Sequence, residues 1–186
     1  MTPMTALWLP ILLSSVIVFI ASSIIHMALP WHKSDYPKMA KEEQFMDAVR
    51  PLSIPPGDYF VPRPANTAEM KTPEFKAKHE RGPVMVMTVM PNGQTSMANN
   101  LIMWFLYLIV VGILTAYVCA HALHPGAPYR AVFRFAGLVS FIAYALALWQ
   151  LSIWYRRAWS ITIKATIDSL IYGLLTAGTF AALWPH

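Results

Sequence analysis

Four long apolar runs dominate the pattern of hydrophobic and polar positions along the chain. Each run is long enough to cross about 30 Å of hydrocarbon as a helix of roughly 20 residues. Their predicted limits are 6–29, 98–121, 133–154 and 163–184. Charged residues are missing from long stretches around them, and water-exposed loops rarely continue that far without charge. The pattern predicts an all-α membrane protein with four transmembrane helices.

Composition indicates the same class. Hydrophobic residues make up 56% of the 186 residues, charged residues make up 12%, and the mean hydropathy is +0.46. A soluble domain carries about 25% charged residues. The net charge of +5 does not indicate a nucleic-acid partner, because nine of the fourteen Lys and Arg residues lie in 30–97 beside eight of the nine acidic ones. We therefore expect the lipid bilayer as a partner and no nucleic acid.

The seven tryptophans mark the predicted ends of the spans. Tryptophan rings prefer the headgroup level of a bilayer. Trp8 and Trp184 fall at one predicted membrane face. The others fall at the opposite face: Trp31, Trp104, Trp149, Trp154 and Trp159.

The distribution of basic residues predicts an orientation. With four spans, both chain ends share one face with the turn at 121–130, and 30–97 shares the other with the turn at 155–164. Six basic residues lie close to span ends on the second face: Lys33, Lys38, Lys41, Arg156, Arg157 and Lys164. The first face has two, and cytoplasmic loops are enriched in Lys and Arg. We expect a bacterial inner-membrane protein with its large loop in the cytoplasm and both ends outside.

The 68 residues at 30–97 form the predicted extramembrane loop, with short helices and one or two short strands. "PKMAKEEQFMDAVRP" predicts a helix that starts near Pro37, and "TPEFKAKHERG" predicts one with Thr72 as N-cap and Gly82 after its end. "GDYFVP" and "VMVMTVMPNG" predict strands. The second strand is apolar on both faces, so either the bundle or another protein must cover it.

Small residues recur at every fourth position of the fourth span, at Ala165, Ser169, Gly173, Ala177 and Ala181. Such ridges let helix backbones approach closely within a membrane. We expect this helix-packing ridge to serve either the bundle itself or a membrane-protein partner.

The stretch "HMALPWHKSDYPK" at 26–38 places His26 and His32 where the first span ends. A zinc site needs three or four ligands with orienting partners. This stretch supplies only two ligands, and His121 lies with its neighbours at the opposite predicted face. We therefore interpret the stretch as a chain leaving the membrane, with Pro30 ending the helix. No cofactor is predicted.

A second metal candidate combines His79 with Met85, Met87 and Met90, because thioethers suit copper(I). Met85 and Met87 share one side of a strand, however, and Met90 does not. Methionine is also an adaptable packing residue. We therefore prefer packing as the role of these methionines.

Each predicted span offers one polar side chain near the large-loop face: His26, Asn100, Gln150 and Asp168. Ionisable groups within a membrane are costly and by default suggest function. Asp168 also has a structural explanation, because it lies near a helix N-terminus and follows Lys164 by four residues. The structural role is preferred, and a small transporter is the functional alternative.

The sequence contains no Walker loop and no G-x-S-x-G, H-E-x-x-H, C-x-x-C or G-x-G-x-x-G motif. A non-catalytic protein is therefore expected. The leading hypothesis is an accessory subunit of a larger membrane complex, of the respiratory or photosynthetic type, with partners at 30–97 and the fourth span. The alternative is a small metal-handling or redox membrane protein that uses the Met and His residues.

Overall fold

The computed structural model describes residues 1–94 and 96–186. These form two compact units: unit 1 comprises Met1–Pro37 and Ser96–His186, and unit 2 is the segment between them. The chain is 70% helical, and four helices are long and apolar enough to cross a membrane. This confirms the prediction of a mostly helical chain with four long apolar helices that could span a membrane, together with two short strands.

The four spans are built from helices of unit 1. The first span, Met4–Ala28, consists of a 3₁₀ turn Met4–Leu7, helix α1 Trp8–Ser23 and a π-helical turn Ile24–Ala28. The second is α5, Met97–Ala122. The third, Tyr129–Tyr155, contains α6 Tyr129–Ala145, a 3₁₀ turn Leu146–Leu148 and α7 Trp149–Tyr155. The fourth is α8, Trp159–Ala182.

The third and fourth helices begin four residues before the predicted limits of 133 and 163. The prediction followed the apolar run, whereas a helix continues into its interfacial first turn. The other limits agree to within two residues.

The small-residue ridge of the fourth span packs on α6 within the chain. A Cβ built on Gly173 would lie 3.2 Å from Cβ of Phe141 and 3.4 Å from the carbonyl oxygen of Gly137. A Cβ on Gly137 would in turn lie 3.2 Å from Cβ of Ala177. The two backbones therefore approach closely, as small residues permit. At these positions the ridge holds the bundle together and leaves no groove for a foreign helix.

Two apolar clusters form the interior of the bundle. One lies at the end that carries the 123–128 turn and includes Leu7, Val132, Phe180 and Trp184. The other lies towards the opposite end and contains these residues: Val18, Ile25, Leu108, Val111, Tyr144 and Tyr172. The aromatic residues of the second cluster border the polar groups described below.

Unit 2 contains short elements: α2 Glu42–Val49, β1 Gly57–Val61, α3 Thr67–Met70, α4 Pro73–Arg81 and β2 Met85–Val89. The strands pair antiparallel, with Phe60 opposite Val86. In α4 the Thr72 hydroxyl accepts the N–H of Phe75 at 3.2 Å, and Gly82 follows the last turn.

Helix α2 begins at Glu42 rather than near Pro37. Glu42 and Glu43 then occupy the first turn, where the helix dipole favours negative charge. This electrostatic preference explains why the helix starts later than the proline suggested.

Candidate functional site

Three side chains with metal-binding chemistry meet at one end of the bundle. One ring nitrogen each of His26 and His32 and one carboxylate oxygen of Asp168 lie within 4.8 Å of one another. His26 belongs to the π-helical turn of the first span, and Asp168 lies on α8. Residues His32 and Asp168 are 136 positions apart.

Pro30 explains how His32 reaches α8. Leu29 has an extended backbone, with ψ of 148°, as expected of a residue that precedes proline. The chain therefore leaves the helix axis and forms a 3₁₀ turn, Pro30–His32. This turn brings Trp31 and His32 against Asp168.

Asp168 is buried and has a donor on each carboxylate oxygen. Its residue is 3% exposed. The indole N–H of Trp31 donates to Oδ1 at 3.1 Å, and Nε2 of His32 lies 2.9 Å from Oδ2. A buried carboxylate is costly unless it is paired and hydrogen-bonded. Trp31 and His32, which are neighbours in one 3₁₀ turn, supply the hydrogen bonds that the buried carboxylate needs.

Asp35 forms the second carboxylate of the site. Nδ1 of His32 lies 2.6 Å from its Oδ2, and Nζ of Lys164 donates to its Oδ1 at 2.7 Å. Burial pushes the pKa of Asp35 up, but the hydrogen bonds and positive charge supplied by Lys164 and His32 outweigh it, so the pKa lies below its ordinary value. Lys164 therefore pairs with Asp35, although Asp168 follows it by four residues on the same helix.

Each histidine has its Nδ1 held by an acceptor. Nδ1 of His26 lies 3.0 Å from the carbonyl oxygen of Ser22, and Nδ1 of His32 faces Asp35. A ring that donates from Nδ1 can offer Nε2 as a ligand. The two rings are stacked, with centroids 4.3 Å apart and planes 9° apart.

A cavity of about 880 Å³ adjoins these groups. Its volume falls within the range of about 300–1,000 Å³ that is common for small-molecule sites. All four spans line it with apolar and aromatic side chains and a few polar ones, including Ser22, His26, Asn100, Trp104, Tyr107, Tyr144, Asp168 and Tyr172. Such a lining is typical of a binding site for a small, largely apolar molecule.

Tyr172 lines the cavity and carries a hydroxyl that is buried. The residue is 4% exposed, and none of the described residues forms a hydrogen bond with its hydroxyl. Tyr172 lies one turn after Asp168 on the same face of α8. Tyr144 packs against its ring edge to face, with centroids 5.8 Å apart. Because an unsatisfied buried hydroxyl costs about 1–3 kcal/mol, a bound acceptor would be stabilising here.

Hydrogen bonds fix the aromatic wall of the cavity. The indole N–H of Trp104 donates to Oγ of Ser22 at 2.9 Å. The hydroxyl of Tyr107 donates to the carbonyl oxygen of Ala143 at 3.0 Å, just before the 3₁₀ turn Leu146–Leu148. The 3₁₀ turn disturbs the regular helical hydrogen bonds, and Tyr107 supplies a donor at that point.

The structure brings together three of the four residues of the predicted polar cluster. His26, Asn100 and Asp168 line the cavity, whereas Gln150 is exposed and is not among the described residues that line it. The 3₁₀ turn before Gln150 has three residues per turn instead of 3.6, so the positions after it are rotated about the helix axis. The prediction considered only the depth of each residue in its span, and depth does not determine the side of the helix on which a residue lies.

The methionine candidates lie in unit 2. Met85 and Met87 are half-buried on one face of β2, and Met90 is exposed beyond its end. His79 lies on α4, with its ring centroid 6.1 Å from that of Phe75. His79 and Phe75 line a separate cavity of about 360 Å³.

Sequence reasoning did not include Trp31, Asp35 or Tyr172 in the site, and it left His26 and His32 without a third ligand. The only signal was Asp168 itself, an acidic residue inside an apolar helix. No family model matches the chain, and no curated protein or solved structure matches it either.

Proposed function

We propose that this protein binds a small lipophilic molecule with a hydrogen-bond-accepting head group, such as a quinone, in the cavity between its spans. The observation that carries this proposal is a cavity of about 880 Å³ lined by Tyr172, a residue whose buried hydroxyl has no hydrogen-bond partner among the described residues. A carbonyl oxygen of the head group would accept a hydrogen bond from that hydroxyl.

The remaining lining residues suit the rest of such a molecule. Trp104, Tyr107 and Tyr144 offer flat aromatic surfaces for a ring-shaped head. Met27, Met97 and Met103 are exposed apolar residues of the same lining. Methionine adapts to irregular apolar partners, so these side chains would accompany a hydrocarbon tail into the bilayer.

Titration of the detergent-purified protein with a decyl-substituted benzoquinone tests this function. We expect saturable binding of one molecule per chain. Tyr172→Phe should weaken binding about 2- to 10-fold, because a lost hydrogen bond costs about 0.5–1.5 kcal/mol. Tyr117→Phe is the control, because Tyr117 is exposed and is not among the lining residues. An unsaturable titration, or equal affinity of Tyr172→Phe and the wild type, would overturn the proposal.

For the orientation, we propose a bacterial inner membrane with the 30–97 loop in the cytoplasm. The excess of Lys and Arg at that face supports it. Ser53 is exposed. In a Cys119→Ser background, Ser53→Cys should therefore resist membrane-impermeant thiol reagents in intact cells. Efficient labelling of Ser53→Cys in intact cells would reverse the orientation.

A second candidate function is an accessory subunit of a larger membrane complex of the respiratory or photosynthetic type. It is favoured by exposed apolar side chains at β2 of unit 2, namely Val84, Val86 and Met90. The ridge of the fourth span gives it no support, because Gly173 packs on α6. Mild-detergent extraction and native gels should reveal a larger assembly that Val86→Glu disrupts. Migration of the wild type as a lone chain would exclude this function.

A further inference from the structure

We infer that His26, His32 and Asp168 form a binding site for one divalent transition-metal ion, such as Zn²⁺ or Fe²⁺. This inference does not depend on the proposed lipophilic ligand, although His26 and Asp168 also line its cavity.

The distances between the candidate ligand atoms are close to those of a metal site. Nitrogen and oxygen ligands lie about 2.0–2.2 Å from a zinc ion, so two ligands of one ion are at most about 4.4 Å apart. The three atoms lie within 4.8 Å of one another. Nε2 of His32 and Oδ2 of Asp168 are 2.9 Å apart, which matches two ligands at right angles around one ion.

Two adjustments let an ion bind. An ion lies near the plane of each imidazole that binds it, whereas the His26 and His32 rings are stacked with planes 9° apart. His26 is exposed and sits in a π-helical turn, so we expect its ring to turn out of the stack. The hydrogen bond between Nε2 of His32 and Oδ2 of Asp168 must also give way to the ion, which would then lie between these two atoms.

A second layer of hydrogen bonds orients all three ligands. Nδ1 of His26 is held by the Ser22 carbonyl oxygen, and Nδ1 of His32 by Asp35. Trp31 donates to Oδ1 of Asp168, and an ion at Oδ2 would replace the hydrogen bond that this oxygen makes with Nε2 of His32. Metal-binding histidines almost always have such a carbonyl or carboxylate partner on the other nitrogen.

The chemistry of the ligands selects the class of metal. Two imidazole nitrogens and one carboxylate suit zinc, iron and similar divalent ions, whereas Ca²⁺ and Mg²⁺ prefer oxygen ligands throughout. Around the site, Asp35 and Asp168 carry two negative charges and Lys164 carries one positive charge.

Three protein ligands leave open coordination positions, which is typical of catalytic rather than structural metal sites. Because His26 and Asp168 line the cavity, these positions are accessible from its polar end. A molecule in the cavity could therefore contact the ion directly.

Metal titrations of the purified, untagged protein test this inference. After chelator treatment and dialysis, we expect one Zn²⁺ per chain by calorimetry and a visible Co²⁺ spectrum with a nitrogen and oxygen ligand field. His26→Gln, His32→Ala and Asp168→Asn should each weaken Zn²⁺ binding at least 10-fold. Asp35→Asn should weaken it about 10- to 100-fold, the usual effect of removing an orienting partner.

Two controls separate a lost ligand from a lost fold. His121→Ala removes an exposed histidine on α5 that contacts Tyr117, and it should leave Zn²⁺ affinity unchanged. His26→Gln alters an exposed side chain, so it should keep the wild-type circular dichroism and elution volume. A wild type that binds neither Zn²⁺ nor Co²⁺, or a folded His26→Gln variant with wild-type affinity, would overturn the site. The benzoquinone titration of the metal-free protein decides the lipophilic-ligand proposal separately.

Discussion

The indole N–H of Trp31 donates to Oδ1 of Asp168 at 3.1 Å across 137 positions of sequence. This bond joins the turn that leaves the first span to the middle of the fourth helix. Nζ of Lys164 lies 5.6 Å from the centre of the Trp31 ring and also binds Asp35. Residues 30–35 are thus held to α8 by one hydrogen bond, one cation–π contact and one ion pair, and the same contacts position His32.

Replacing Trp31 with phenylalanine should destabilise the bundle. The change keeps an aromatic ring but leaves Oδ1 of the buried Asp168 without its donor, which should cost about 1–3 kcal/mol. Thermal unfolding in detergent measures the effect. Trp154→Phe is the control, because Trp154 is 73% exposed, and it should unfold like the wild type. Equal unfolding temperatures for the two variants would show that the bond contributes nothing.

Gly173→Leu should lower stability by about 1–3 kcal/mol, because it overpacks a close helix contact. Any side chain at this position meets Phe141 and the backbone of Gly137. Leu174→Met, one residue further on α8 at an exposed position, should have little effect. Thermal unfolding of both variants in the same detergent distinguishes them, and an unchanged Gly173→Leu protein would refute the α6–α8 contact.

The four spans were predictable because a membrane imposes a local requirement, a run of apolar residues long enough to cross it. The ends of α4 were predictable for a similar reason, since Thr72 and Gly82 act within one turn of the chain. The site depends instead on residues far apart in sequence. The spacing of His26 and His32 carries no information about Asp168.

Lys164 and Gln150 illustrate two further limits. Lys164 lies four residues before Asp168, which suggests a pair, yet its Nζ binds Asp35 and Ser34. A partner supplied by another segment competes with the local one. Gln150 was grouped with the others by its depth near the large-loop face, and depth does not determine the side of the helix on which a residue lies. The 3₁₀ turn at Leu146–Leu148 rotates the positions that follow it.

Tyr172→Phe and Tyr107→Phe should affect stability in opposite ways. The hydroxyl of Tyr172 has no partner among the described residues, so its removal should leave the ligand-free protein equally or more stable. The hydroxyl of Tyr107 donates to the carbonyl oxygen of Ala143, so its removal should cost about 0.5–1.5 kcal/mol. Adding the benzoquinone should then stabilise the wild type more than Tyr172→Phe. Thermal unfolding with and without the benzoquinone checks both statements; a destabilised ligand-free Tyr172→Phe would show that the hydroxyl is already satisfied.

Pro30→Ala tests whether the helix stop positions the metal ligands. Proline restricts Leu29 to its extended conformation, so alanine gives the unfolded chain more freedom and should lower stability by about 0.4–1 kcal/mol. Without this restriction on Leu29, the first helix can continue further along the chain. His32 would then lie farther from Asp168. Zn²⁺ affinity should therefore fall below that of the wild type.

Pro125→Ala provides the matched comparison, because Pro125 is an exposed proline in the 123–128 turn. This turn is held by a hydrogen bond from the indole N–H of Trp184 to the carbonyl oxygen of His124. Pro125→Ala should lose a similar amount of stability and keep the wild-type Zn²⁺ affinity. Calorimetric titration of both variants, alongside thermal unfolding, separates a general loss of rigidity from a displaced ligand. If both variants lost Zn²⁺ affinity equally, the turn at Pro30 would have no specific role in holding His32 against Asp168.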